Sequence, residues 1–262
     1  MSAGELYALL LALLIGVAAG LVGSFALMKR MLLASDVISH LALPGLGIAF
    51  LLKINPLVGG GAALFLGTLL IWRLQTKSGL AVEAAIGVVF ATAVAIGASI
   101  TPREDILEAL FGSFQRISLT SFFVGAVAVA GVIVALFLLK DRLVLSIFSP
   151  ELAATSGVKV RLLDLYFLLL FSLVVLVGLR YMGALLASAL LILPAATGRQ
   201  LASNIAGFLA ASASASVTAV LLGYLASSTV WKMSTPAPAI VMFGAAMFVI
   251  SLAFSNRKLT LT

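Results

Sequence analysis

Residues 6–27 read LYALLLALLIGVAAGLVGSFAL, an apolar run of 22 residues without one charged side chain. A helix needs about 20 such residues to cross the hydrocarbon core of a bilayer. Comparable runs follow near 32–52, 56–74, 81–100, 118–139, 162–179, 182–198, 205–226 and 237–254. The sequence therefore predicts an all-α, polytopic transmembrane helical bundle of about nine spans. Eight or ten spans are also compatible with it, because the stretch 101–117 can form a short re-entrant or interfacial helix.

The composition supports a membrane protein rather than a soluble one. The 262 residues are 63% hydrophobic and only 10% charged, and the mean hydropathy is +1.27, whereas soluble proteins contain about 25% charged residues. No charge-rich stretch of domain length interrupts the runs, so we predict one transmembrane domain over 1–262. No cationic segment precedes the first run, which we therefore interpret as a retained span of a multi-pass membrane protein.

The basic residues predict the orientation of the chain. The net charge is +7, but Lys and Arg stand singly or in pairs at the ends of apolar runs, which argues against a nucleic-acid partner and favours a topology signal. Alternating the loops places on one side Lys29, Arg30, Arg73, Lys77, Lys140, Arg142, Lys159, Arg161, Arg199, Arg257 and Lys258. The other side receives Lys53, Arg103, Arg116, Arg180 and Lys232. The positive-inside rule then predicts an outside N-terminus and a cytoplasmic C-terminus.

The second run carries two ionisable residues where charge is costly. Asp36 and His40, the only histidine, are four residues apart, so in a helix they share one face. Counted from Lys29 and Arg30, they lie about 9 to 16 Å into the membrane. An ionisable residue inside a span is a functional-site hypothesis by default. Pro44, one turn further, is expected to bend the helix and free a backbone carbonyl.

Other interpretations of these residues stay open. Asp36 can be the N-cap of a helix that starts late, and an isolated His can be a buried imidazole bonded to a carbonyl. Glu83, at the start of the fourth run, is a third candidate for the path, or a solvated acid at a helix start. Asp164 is expected to pair locally with Lys159 or Arg161. The serine-rich segment 210–218 favours close helix packing over a substrate-lining role.

An Asp oxygen and a His nitrogen suit a borderline divalent metal such as Zn, Mn or Fe. The chain has no cysteine to add a thiolate ligand, so two side chains leave an incomplete shell, which favours a transported ion over a permanently bound cofactor. No phosphate-binding GxxxxGK[ST] loop is present. If ATP drives transport, hydrolysis takes place on a separate subunit and this chain is not itself an enzyme. A short helix over 149–158, outside the bilayer, offers that subunit a docking site.

The sequence resembles the membrane permeases of ATP-binding-cassette importers for zinc, manganese and iron. The ordered segments that carry this resemblance are Gly23-Ser24-Phe25 with Lys29-Arg30-Met31, Asp36-Val37-Ile38-Ser39-His40 with Leu43-Pro44-Gly45, Ala85-Ile86-Gly87, Leu110-Phe111-Gly112, Ser149-Pro150-Glu151-Leu152-Ala153 through Gly157-Val158-Lys159, Gly183-Ala184-Leu185-Leu186, and Leu193-Pro194-Ala195-Ala196-Thr197 with Arg199. Each segment is weak alone, but together they span most of the chain. Glu83 departs from the family pattern, where an Asp is expected.

The resemblance implies a divalent-metal importer working by alternating access. It implies a second permease copy or paralogue, which shares the lipid of a prokaryotic cell (inner) membrane with this chain. It also implies two cytoplasmic ATPase subunits and an extracytoplasmic metal-binding protein. Asp36 and His40 would contribute to the metal path. The coupling helix would comprise Ser149, Pro150, Glu151, Leu152, Ala153, Ala154 and Gly157. The rival hypothesis is a secondary cation transporter or channel in which Asp36 and His40 relay protons or a cation.

Overall fold

The computed structural model describes residues 3–32, 34–100, 117–231 and 235–254, and within these ranges it contains helices and no β-strand. The helices are α1 (Ala3–Met28), α2 (Ala34–His40), α3 (Leu43–Leu52), α4 (Pro56–Ser78), α5 (Val82–Ile100), α6 (Leu119–Phe148), α7 (Pro150–Thr155), α8 (Val160–Met182), α9 (Ala184–Leu201), α10 (Ile205–Ala226), which continues into a π-helical turn (Ser227–Trp231), and α11 (Ala237–Ala253). The predicted all-α bundle is confirmed.

Within the described ranges, eight segments are long and apolar enough to cross a membrane, α2 and α3 together forming one of them. The ninth predicted run forms α11, which has 17 residues and lies at the lower limit for a span. The stretch 101–116, which carries the predicted re-entrant or interfacial helix, lies outside the described residues.

The second span consists of two helices, and its interruption lies directly before Pro44, the residue that the sequence predicts to disturb this span. α2 ends at His40, residues 41 and 42 form a turn, and Pro44 lies in the first turn of α3. Proline is well accommodated there because the first N–H groups of a helix have no carbonyl partner within it. The regular helical hydrogen-bond pattern of the span therefore stops directly after His40.

Small residues let α1 run through the centre of the bundle against α9 and α10. A Cβ added to Gly23 would lie 2.0 Å from the Leu191 carbonyl oxygen, so only glycine allows this approach. Ser212 and Ser216 on α10 are fully buried and lie opposite Gly20 and Gly16 of α1. These two serines pack helices together, as the sequence predicted for this segment.

Because successive long helices alternate in direction, one end of the bundle collects most of the basic residues. We call it the basic end. In the described part of the chain it carries Lys29, Arg30, Arg73, Lys77, Lys140, Arg142, Lys159, Arg161 and Arg199. Contacts confirm that distant segments meet there. The Trp72 indole Nε1 on α4 donates a hydrogen bond of 2.8 Å to the carbonyl of Arg161 on α8.

Candidate functional site

The helix α2 has one buried face, and that face excludes Asp36 and His40. Ala34, Ser35 and Ile38 are each less than 5% exposed and point into the bundle. On the other face Asp36 is exposed and His40 is half-buried. The structure therefore brings Asp36 and His40 onto the same side of one helix turn, at the outer surface of the single chain.

Two hydroxyl groups can be buried on α2 because each donates a hydrogen bond to a nearby backbone carbonyl, in α2 or in the turn before it. Ser35 Oγ donates to the carbonyl of Leu32 at 3.0 Å, and Ser39 Oγ donates to the carbonyl of Asp36 at 2.6 Å. A buried hydroxyl without a partner would cost free energy. These bonds remove that cost and allow a polar residue pair to form the inner face of α2.

The His40 side chain packs against the neighbouring helix α5. The imidazole and Phe90 rings have centroids 5.9 Å apart, with their planes tilted by 54°. α2 and α5 both run from the basic end into the bundle. Residues that precede His40 and Phe90 by the same number of positions therefore lie at similar depth in the membrane. Glu83 is seven residues before Phe90 and Asp36 is four before His40, so Glu83 lies about one helix turn nearer the basic end.

The face of α5 that continues this surface is open. Glu83 and Gly87 are exposed, and a Cβ added to Gly87 would have no heavy atom within 4 Å. Gly87 lies three residues before Phe90, which is level with His40. Gly87 therefore lies at a depth between those of Asp36 and His40. Glu83, Gly87, Asp36 and His40 thus border one uncovered surface formed by α2 and α5.

Pro44 removes one backbone donor at the end of α2. In a continuous helix the carbonyl of His40 would accept a bond from the N–H of residue 44, but proline has no N–H. This carbonyl lies at the end of α2, where the chain turns. Its oxygen is therefore a candidate cation ligand next to the imidazole in the sequence.

The described residues do not form a complete metal site. Among them, no group of three or more His, Asp or Glu side chains is close enough to hold a metal ion. Two side chains and a carbonyl supply fewer ligands than the four of a tetrahedral shell.

A second candidate surface lies at the basic end. The short helix α7 begins at Pro150, after Ser149, and the chain passes Gly157 with a φ of 82°. Ala153 is fully buried against its neighbours, whereas Glu151, Leu152 and Ala154 are exposed. An exposed leucine and carboxylate on a short, fixed helix form a compact surface for a partner protein.

The charged residue Asp164 does not pair with its sequence neighbours Lys159 and Arg161, so that prediction is wrong. Its carboxylate Oδ1 accepts a bond of 2.5 Å from Lys29 Nζ, 135 residues earlier in the chain. Lys29 also lies 5.6 Å from the centre of the Phe167 ring. The ion pair joins the end of α1, just before α2, to the start of α8, just after α7.

Sequence reasoning missed Phe90 and the Lys29–Asp164 pair. Phe90 has no signal in an apolar run, and Lys29 resembled any other basic residue at a span end. Gly87 was noted within a motif, but its open surroundings depend on the packing of α5. The structure keeps the α2–α5 surface separate from α7.

Comparisons with known proteins identify relatives over the whole chain. A profile described as the ABC 3 transport family matches residues 5–255. The manganese import system permease protein ScaB of Streptococcus parasanguinis is 30% identical over 96% of this chain and 90% of its own length. The high-affinity zinc uptake system membrane protein ZnuB of Haemophilus influenzae is 26% identical over 95% of this chain and 97% of its own.

A solved structure has the same fold. A chain of PsaBC from Streptococcus pneumoniae, determined in complex with Fab, superposes with a TM-score of 0.83 and 25% sequence identity. The match covers 98% of this chain and 93% of that one. Sequence and fold thus indicate the same group of transport proteins.

Proposed function

The chain belongs to the ABC 3 transport family of metal importer permeases, and from that premise we propose that it moves a divalent transition metal across the cell membrane by alternating access. ATP hydrolysis takes place on separate subunits. Manganese, iron and zinc are the candidate ions. The Ser-His-x3-Pro-Gly sequence at residues 39–45 resembles the manganese and iron members of the family more than the zinc members, and several relatives are manganese permeases.

One observation carries this proposal: Asp36 and His40 lie on the outer face of a membrane helix. Ionisable residues at membrane depth face a bundle interior or a water-filled cavity, because contact with lipid is costly. The described residues of one chain leave them uncovered, and a second permease, identical or paralogous, covers the α2–α5 surface in this proposal. The metal path then runs between two permeases.

The ligands on this surface fit a transported ion. Carboxylate oxygen and imidazole nitrogen together suit Mn, Fe and Zn better than Ca or Mg. Asp36, His40 and the His40 carbonyl give half a shell, and the second permease or water supplies the rest. Glu83, one turn nearer the basic end, is the next oxygen ligand along the path. A shell divided between two subunits opens when they separate, which releases the ion.

The basic end is the cytoplasmic one by the positive-inside rule. There α7 docks on an ATPase subunit as the coupling helix, with contacts from Ser149, Pro150, Glu151, Leu152, Ala154 and Gly157. Ala153, which the sequence also assigned to this contact, is buried within the chain and packs α7 against the bundle instead. The opposite end receives the metal from an extracytoplasmic binding protein. Closure of the ATPases moves α7, and the two permeases rock to change access.

Reconstitution in liposomes tests the energy source. The permease, its ATPase and its binding protein are expected to take up Mn, Fe or Zn only when ATP is enclosed with the ATPase. A matched ATPase variant that binds but cannot hydrolyse ATP is expected to give no uptake. Metal uptake driven by a proton gradient without ATP would identify a secondary transporter and overturn the proposal.

A further inference from the structure

A cleft of about 320 Å³ opens at the basic end, between α6 and α8. Leu139 and Arg142 of α6 form one wall, and Lys159, Leu162 and Tyr166 at the start of α8 form the other. The loop after α7 closes its end. The volume is about ten times that of one water molecule in the liquid, enough for a phosphate headgroup.

The described lining of the cleft carries two positive side chains and no negative one. Arg142 and Lys159 line it, and no carboxylate does. In the described ranges the recorded ion pair is Lys29 with Asp164, so the nearest acidic residue of α8 is already paired. Two exposed cations that face one cleft attract an anion.

Charged and apolar groups follow one another along the cleft in a fixed order. α6 runs toward the basic end and α8 away from it, so Arg142 and Lys159 both lie on the loop side. Leu139, Leu162 and Tyr166 lie deeper along the same walls. Leu162 is 39% and Tyr166 55% exposed, so the apolar part is open to the bilayer. This order matches an amphiphile, with its anionic group toward the loop.

The depth of Arg142 agrees with a lipid headgroup. α6 has 30 residues, which makes it about 45 Å long, whereas the hydrocarbon core is about 30 Å thick. An upright helix that enters the core at Leu119 leaves it after about 20 residues, near Leu138. Arg142 then lies about 6 Å beyond the core, within the headgroup layer.

We propose that this cleft binds an anionic glycerophospholipid, with the phosphate held by Arg142 and Lys159 and an acyl chain along Leu162 and Tyr166. Basic pockets between membrane helices at the cytoplasmic side are suited to such headgroups. The assignment to the inner leaflet rests on the proposed orientation of the chain. Because the loop from Gly157 to Lys159 follows α7, the lipid also fixes the position of α7 relative to the membrane.

Native mass spectrometry of the full-length chain in detergent tests the site. Phosphatidylglycerol, phosphatidylcholine or inorganic phosphate is titrated against the wild type, against the double variant Arg142→Gln/Lys159→Gln, and against the control Arg73→Gln/Lys77→Gln. The control removes two exposed charges at the same end, away from the cleft. We expect tighter binding of phosphatidylglycerol than of phosphatidylcholine, an affinity about tenfold lower in the cleft variant, and a change below twofold in the control.

Three results would overturn the proposal. Equal affinity of the wild type and the cleft variant for phosphatidylglycerol shows that the lipid does not bind there. Displacement of the lipid by millimolar inorganic phosphate identifies a site for soluble anions. Unchanged lipid binding in a cleft variant that no longer binds the ATPase subunit makes the cleft an ATPase contact. Size-exclusion chromatography verifies that the variants fold, and none of these results depends on metal transport.

Discussion

At the scale of single residues, the proposed metal path depends on which face of α2 is buried. The spacing of Asp36 and His40 was enough to predict that they share a face. It could not predict that Ser35 and Ser39 fill the buried face, because hydropathy ranks serine as a surface residue. Their hydroxyls are buried at low cost since each bonds to a carbonyl in the same segment.

Gly87 offers a test of the open surface that leaves the ligands intact. Gly87→Leu has room in the single chain, so we expect normal folding and insertion. The new side chain fills the space at the depth of Asp36 and His40, so ATP-driven metal uptake is expected to fall at least about tenfold. Gly131→Leu on α6, where an added Cβ also meets nothing within 4 Å, is the control. Equal uptake by the two variants would place the path elsewhere.

Gly45, unlike Gly87, is closely surrounded by other atoms, and it gives a prediction about stability. A Cβ added to it would lie 2.0 Å from the Gly59 carbonyl oxygen, so Gly45→Ala must separate α3 from α4. Overpacking of this kind costs about 1–3 kcal/mol. Thermal unfolding in detergent is expected to show a lower Tm for Gly45→Ala than for Gly87→Ala. A Tm for Gly45→Ala equal to that of the wild type would mean that the two helices are not in close contact.

At the scale of elements, the Lys29–Asp164 pair ties the segment before α2 to the segment after α7. No local pattern predicts a contact across 135 residues, because it depends on how α1 and α8 pack. Sequence reasoning succeeded for α7, whose start at Pro150 and end before Gly157 follow from proline and glycine preferences. The preferences of single residues thus predict where α7 begins and ends, whereas contacts between distant helices depend on how the whole bundle packs.

A double-mutant cycle measures this connection. Lys29 and Asp164 are 15% and 25% exposed, so Lys29→Met or Asp164→Asn leaves a largely buried group without its partner. We expect each single variant to lose about 1–3 kcal/mol of unfolding free energy, and the double variant to lose less than the sum. Strictly additive losses would mean that the two side chains do not stabilise each other.

The exposed carboxylate of α7 tests docking of the ATPase. Glu151→Arg reverses a charge at the start of a helix that presents Leu152 and Ala154 beside it. We expect the variant to reduce co-purification of the ATPase subunit at least about fivefold, whereas Asp141→Arg, an exposed acid on α6, leaves it unchanged. The hypothesis about α7 fails if both variants retain the ATPase equally.

At the scale of the whole molecule, apolar run lengths were sufficient to predict the helical bundle, because each span must satisfy its own backbone hydrogen bonds in lipid. They could not reveal the break at residues 41 and 42, since a broken span has the same hydropathy as a continuous one. The order of motifs identified the family. The uncovered α2–α5 surface could not be predicted in this way, because it depends on how the helices pack against one another.

That surface predicts where the second permease sits. A photo-crosslinking amino acid at Val88, which is 55% exposed on α5, is expected to give a permease–permease adduct in membranes. The same group at Val127, 70% exposed on α6, is expected to react with lipid and give no such adduct. Adducts from Val127 but not from Val88 would place the dimer interface on the wrong side for a path at Asp36 and His40.

The most direct test of the central claim is ATP-driven manganese uptake by complexes that carry His40→Ala or Ser39→Ala. The two residues are adjacent on α2, but His40 faces the proposed path and Ser39 is buried in the bundle. We predict that the His40→Ala complex assembles with the ATPase and loses manganese uptake, while Ser39→Ala transports at close to the wild-type rate. Normal uptake by an assembled His40→Ala complex would contradict it.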